Sequence, residues 1–119
     1  MDTFSISRVD KNECSILYLS GFLDAHTAPE LENELETLIS EERFKIVVNF
    51  KELNYISSAG LGVFMGYIEN IRNNSGDIKM CSMSPKIFRV FDLLGFPTLY
   101  DIVQEEDHAV ELFFKPVGE

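Results

Sequence analysis

Between residues 28 and 40 the apolar side chains Ala28, Leu31, Leu35 and Leu38 recur three and four places apart. That spacing puts them on one face of a helix, with Glu32, Glu34 and Glu36 on the solvated side. Thr27 and Glu30 have capping-box spacing, and Pro29 falls in the first turn, where a missing N–H does no harm. The same period returns at Leu61, Phe64, Met65, Ile68 and Ile71 and stops at the turn cluster Asn73-Asn74-Ser75-Gly76. A third helix opens at Ser84-Pro85, buries Ile87, Val90, Phe91 and Leu94, and is closed by Gly95. A last helix over residues 105–114 turns Ala109, Leu112 and Phe113 inward, with Glu105-Glu106-Asp107 at the positive end of its dipole.

The segments between these helices have strand character. Residues 4–9 and 14–20 read as two strands joined through the short polar segment Asp10-Lys11-Asn12-Glu13, a hairpin, with Gly21 ending the second. Residues 44–50 form the strongest strand: Ile46-Val47-Val48 is β-branched and apolar on both faces, as a central strand covered on two sides requires. Residues 78–81 and 99–103 are shorter strands, the latter at an edge. The order ββαβαβαβα predicts an α/β fold with a mixed, mostly parallel sheet of four to five strands flanked by four helices. No repeat, low-complexity run or linker interrupts it, so residues 1–119 read as a single domain with a loose tail from about Pro116.

Charge narrows the function. Twenty acidic residues against ten basic ones give a formal net charge of −10, with no basic cluster. Such a surface repels nucleic acid and anionic membranes and complements a basic partner. The acidic N-terminus lacks the basic and apolar regions of a signal peptide, and no apolar run reaches membrane-spanning length, which reads as a cytoplasmic protein. Cys14 and Cys81 lie inside apolar stretches and read as buried free thiols. No Cys/His cluster has metal-ligand spacing, and no cofactor is expected.

One stretch carries more than scaffold: Tyr55-Ile56-Ser57-Ser58-Ala59-Gly60-Leu61-Gly62. It follows the central strand and starts a helix that Ser57 or Ser58 can cap. Two glycines in a first turn cost roughly 1 kcal/mol each relative to alanine, which points to close approach by another surface. A catalytic serine would need a base and an oxyanion site, but the chain has only His26 and His108 and no G-x-S-x-G elbow. No P-loop is present, and no Lys or Arg lies between Lys51 and Arg72 to hold a phosphate. An enzyme is not expected.

Residues 44–64 resemble the STAS domain of bacterial anti-sigma factor antagonists, in which a hydrophobic strand leads into Asp-Ser-[Ser/Thr/Ala]-Gly-Leu-Gly. Gly21-Phe22-Leu23-Asp24 resembles that family's loop after the second strand. Asn49-Phe50 and Leu53 fit the lead-in, and Ser84-Pro85 through Phe91-Asp92 fit the third helix. With Gly60-Leu61-Gly62 fixing the register, the resemblance places Ser58 at the phosphorylated serine, Ser57 where many relatives carry aspartate, and Ala59 where some carry Ser or Thr. Ser57 is then the competing acceptor. The resemblance implies a partner-binding face of Asp24, His26, Ser57, Ala59, Gly60, Leu61 and Gly62. It implies as partners an anti-sigma factor serine kinase, bound while Ser58 is unmodified so that a sigma factor is released, and a serine phosphatase that resets the switch. The alternative within the same family is an unphosphorylated adaptor in a signalling or transport complex.

Overall fold

The computed structural model describes residues 3–114. The tail expected from about Pro116 lies outside them. In chain order the elements are β1 (Phe4–Lys11), β2 (Cys14–Leu23), α1 (Ala28–Ser40), β3 (Lys45–Ile56), α2 (Ser58–Asn73), β4 (Asp77–Cys81), α3 (Pro85–Leu93), β5 (Ile102–Val103) and α4 (Glu106–Phe114). A 3-10 turn, Phe96–Thr98, joins α3 to β5. The five strands lie in sequence order across one sheet; β1 is antiparallel to β2 and every other pair is parallel. The predicted ββαβαβαβα order and α/β class are those observed.

Alternation along the strands sorts the core into two layers. Leu17, Leu19, Ile46, Val48 and Phe50 face α1, α2 and α3 and form the larger core with Leu31, Leu35, Leu38, Phe64, Ile71, Ile87 and Phe91. Cys14, Ile16, Val47 and Cys81 face the other way and are covered by α4 through Ala109, with Val110 and Phe113 partly buried beside them. Glu106 fixes the start of α4 on that face. It accepts hydrogen bonds from Tyr18 Oη at 3.0 Å and Asn49 Nδ2 at 2.9 Å. Burial and this carboxylate push the Tyr18 phenol up to about 12.

Several expectations are corrected. Gly21 does not end β2: the strand runs on to Leu23 through irregular pairing with β3. Gly21 adopts φ +94°, and a Cβ there would come within 1.8 Å of the Thr3 carbonyl oxygen, so glycine lets the strand continue beneath the N-terminal segment. β3 reaches Ile56 rather than residue 50, because its later residues keep β2 as a partner. β5 is only Ile102–Val103, since Leu99 belongs to the end of the 3-10 turn. The Thr27–Glu30 capping box does not form. Thr27 makes no side-chain cap; its hydroxyl donates to the Phe22 carbonyl at 2.8 Å and accepts from the Asp24 N–H at 2.9 Å. Met65 and Leu94, expected in the buried stripes, are 58% and 59% exposed.

The two thiols are free and fully buried. Burial pushes both up to about 11, so the reactive thiolate is scarce at pH 8. A chromogenic disulfide reagent at pH 8 is expected to modify neither cysteine in native buffer and both in 6 M guanidinium (roughly, a concentration that unfolds most domains). Prompt release of two equivalents from the native protein would contradict this burial.

Candidate functional site

Because β2 to β5 are parallel, the loops that follow them leave the same end of the sheet, where open α/β folds place their functional groups. β3 ends at Ile56, and Ser57 takes extended angles, φ −99° and ψ 174°. The Ser57 N–H donates to the Leu23 carbonyl at 2.9 Å, which ties the end of β3 to the end of β2. Its hydroxyl accepts from the Gly60 N–H at 3.4 Å and its carbonyl accepts from the Leu61 N–H at 3.0 Å. Ser57 is therefore the cap of α2, a role worth about 1 kcal/mol. Ser58 is the first helical residue and is exposed. With the cap supplied by its neighbour, its hydroxyl is left to solvent.

The small residues that follow have different reasons. Gly60 is buried, and a Cβ there would meet Leu23 Cγ at 2.8 Å and Ile56 Cγ1 at 3.0 Å. The missing side chain lets the first turn of α2 sit on the ends of β2 and β3. Gly62 is exposed, and a Cβ there would meet nothing within 4 Å. The domain's own packing does not require glycine at that position. Gly66, one turn further on, is equally open, and Met65 beside it is exposed. Ser58, Gly62 and Gly66 recur every four residues and so share one face of α2. Leu61 is buried and Ala59 half-buried against the core, so these two hold the face in place from beneath.

The β2–α1 loop stands beside this helix start. Asp24 Oδ1 accepts from the His26 N–H at 2.9 Å and the Thr27 N–H at 3.1 Å, and its carbonyl accepts from the Ala28 N–H at 2.7 Å. Asp24 thus folds the turn that opens α1, while His26 is exposed at its tip. Of the sequence-predicted face, the structure brings together the Asp24 loop and the start of α2 through the Leu23–Ser57 bond. It sends Gly60 and Leu61 inward. Sequence reasoning missed Gly66 and the exposure of Met65. The four-residue spacing from Ser58 to Gly62 to Gly66 was the signal that could have found the first. Among the described residues no cluster of His, Cys, Asp and Glu could hold a metal ion, and no helix is long and apolar enough to cross a membrane.

Residues 5–109 match the model of the STAS domain family. The chain belongs to the STAS domain family. It is 30% identical over 104 residues to the anti-sigma-B factor antagonist of Bacillus subtilis, an alignment spanning 87% of this chain and 94% of that one. The STAS fold is equally clear in three dimensions. The crystal structure of an anti-sigma factor antagonist from Mycobacterium paratuberculosis superposes with a TM-score of 0.87 at 20% identity, covering 96% of this chain and 97% of that one. The Bacillus cell fate determinant SpoIIAA in its phosphorylated form superposes with a TM-score of 0.70 at 22% identity, covering 92% and 98%. These STAS relatives are regulatory proteins, and the resemblance read from Gly21-Phe22-Leu23-Asp24 and Ser58-Ala59-Gly60-Leu61-Gly62 is the family relationship observed.

Proposed function

We propose that this STAS protein is an anti-sigma factor antagonist switched by phosphorylation of Ser58. Unmodified, it binds an anti-sigma factor that is itself a serine kinase, and a sigma factor is released; the kinase phosphorylates Ser58 and ends the binding; a serine phosphatase restores it. The observation that carries this reading is the division of labour between the two serines. Ser57 is half-buried and bonded as the cap, whereas Ser58 is exposed at the first helical position with its hydroxyl outside the cap. The names of the curated antagonists and the phosphorylated state in which SpoIIAA was solved support it.

The physics is consistent. A phosphate brings about −1.5 to −2 charges at pH 7. At the start of a helix, N–H groups and dipole tolerate that charge, so the fold survives. On the same face Gly62 and Gly66 leave the backbone bare, so a partner can approach closely. A phosphate there adds bulk and charge where the fit is tightest.

Incubating the protein with an anti-sigma serine kinase and ATP, then mapping phosphate by mass spectrometry, tests the site. Phosphate is expected on wild type and on Ser57→Ala and to be absent from Ser58→Ala. Phosphate that persists in Ser58→Ala and vanishes in Ser57→Ala overturns the assignment. In parallel, Ser58→Asp is expected to weaken kinase binding at least tenfold by calorimetry with an unchanged circular dichroism spectrum.

A further inference from the structure

The two faces of the sheet are covered very unequally. The layer under α1, α2 and α3 is built on large side chains, with Leu31, Leu35, Phe64 and Phe91 among them. The layer under α4 consists of Cys14, Ile16, Val47, Cys81 and Ala109. Of these α4 itself supplies only Ala109, a single methyl group. Val110 and Phe113 are half-buried beside it, and Phe114 is 47% exposed. A helix of nine residues does not hold its shape alone in water, so α4 is helical because it is docked.

What docks it is largely polar. Glu106, in the first turn, accepts from three strands: from Tyr18 Oη on β2 at 3.0 Å, from Asn49 Nδ2 on β3 at 2.9 Å and from Lys11 Nζ on β1 at 3.5 Å. Near the other end the Phe113 ring centre lies 4.8 Å from Lys79 Nζ on β4. Lys79 is only 7% exposed, and its ammonium also donates to Asp101 at 2.7 Å and Asp77 at 3.2 Å. Water can take over the partners of a phenol, an amide or a carboxylate at small net cost, because such bonds exchange for bonds to solvent. It cannot replace the packing of Phe64 or Phe91. Just before α4 the chain is pinned: the Ser82 N–H donates to the Val103 carbonyl at 3.2 Å and the Ser82 hydroxyl to the Gln104 carbonyl at 3.2 Å. Exposed Glu105 stands between this pin and the Glu106 latch.

We propose that α4 is a hinged strap, which turns about Glu105 and leaves the sheet as a unit while β1 to β4 and α1 to α3 stay folded, admitting solvent and thiol reagents to Cys14 and Cys81. Parts of a fold that bury little apolar surface open in this sub-global way below the free energy of complete unfolding. The strap and the serine switch are separate, since Ser58 starts α2 on the opposite face of the sheet.

The test labels the full chain with a chromogenic disulfide reagent over a series of urea concentrations below the unfolding transition. Where closing outpaces labelling, the rate reads the open fraction, and its dependence on urea reads the surface exposed on opening. Wild type is expected to show a slope less than half that of global unfolding, which then merges with it near the transition. Glu106→Ala and Phe113→Ala, which remove one anchor each, are expected to speed labelling at least tenfold at low urea. Ile71→Val, in the other layer, is expected to lower the global midpoint and leave labelling at low urea unchanged. In deuterium exchange, amides of residues 107–114 are expected to exchange at least tenfold faster than those of β3 after correction for intrinsic rates. Ser58→Ala is expected to alter none of these, so failure here and failure of the phosphorylation reading are distinguishable. A slope equal to that of global unfolding overturns the proposal. So does acceleration in Ile71→Val by the factor of its global destabilisation, or indifference of labelling to both Glu106→Ala and Phe113→Ala.

Discussion

Phe91→Ala will destabilise the domain by about 3–5 kcal/mol, the range for removing a buried aromatic ring. Phe91 is fully buried, and its ring sits 5.3 Å from Phe50, 6.4 Å from Phe64 and 5.0 Å from Phe96 between centroids, edge-on to Phe50 and Phe96. Phe96 in turn stacks on Tyr100 at 5.0 Å. One ring therefore joins α3 to β3, α2 and the 3-10 turn. Neighbours held from three other elements cannot all collapse into the space it leaves, so the cavity persists and its cost adds to the lost burial. Against a typical total of about 5–15 kcal/mol, such a loss is a large share of the domain's stability. Urea unfolding should show a much lower midpoint at an unchanged slope, with partner binding reduced only as far as the folded fraction falls. A loss below about 1 kcal/mol would refute the view that Phe91 joins these elements.

Gly60→Ala and Gly62→Ala will move stability in opposite directions although the two glycines stand two residues apart in one helix. Intrinsic helix preference alone favours alanine by about 1 kcal/mol at either position. At Gly62 nothing opposes that gain, since an added Cβ meets open space. At Gly60 the Cβ would press to 2.8 Å of Leu23 and 3.0 Å of Ile56, both buried, so the helix start must lift from the strand ends. Overpacking of this kind costs about 1–3 kcal/mol. Gly60→Ala is thus expected to lower the melting temperature and Gly62→Ala to raise it. Binding should separate them further. On the proposed function, Gly62→Ala weakens the anti-sigma partner at least tenfold by placing a methyl group on the close-fitting face of a more stable protein. If Gly60→Ala proves neutral, the close approach of α2 to β2 is not what that glycine serves. If Gly62→Ala leaves partner affinity unchanged, the bare face of α2 is not the contact surface.

Much of the fold was legible because period and punctuation agree along the chain. Leu31, Leu35 and Leu38 could face the core only as a helix, and Ile46-Val47-Val48 could be buried on both faces only in a central strand. Ser84-Pro85 reads as a helix start, and the structure shows the Ser84 hydroxyl accepting from the Ile87 N–H at 3.2 Å. What misled was local chemistry that a longer-range contact overrode. Thr27 had the sequence of a capping box, but the Phe22 carbonyl claimed its hydroxyl. Gly21 looked like a strand end, but Thr3 lies over it. Met65 and Leu94 had core spacing, yet both stand at the margin of the apolar stripe, where packing decides which side is covered.

The candidate site divides in the same way. The sequence by itself determined that a serine pair opens a helix after the central strand and that glycines follow it, because these follow from residue types and their spacing. Only the tertiary structure decided that Ser57 is the cap and Ser58 the exposed hydroxyl, and that Gly60 serves the fold while Gly62 leaves a surface bare. Each of these depends on which atoms of distant segments meet, Leu23 against Gly60 above all, and spacing along one chain carries no record of those distances.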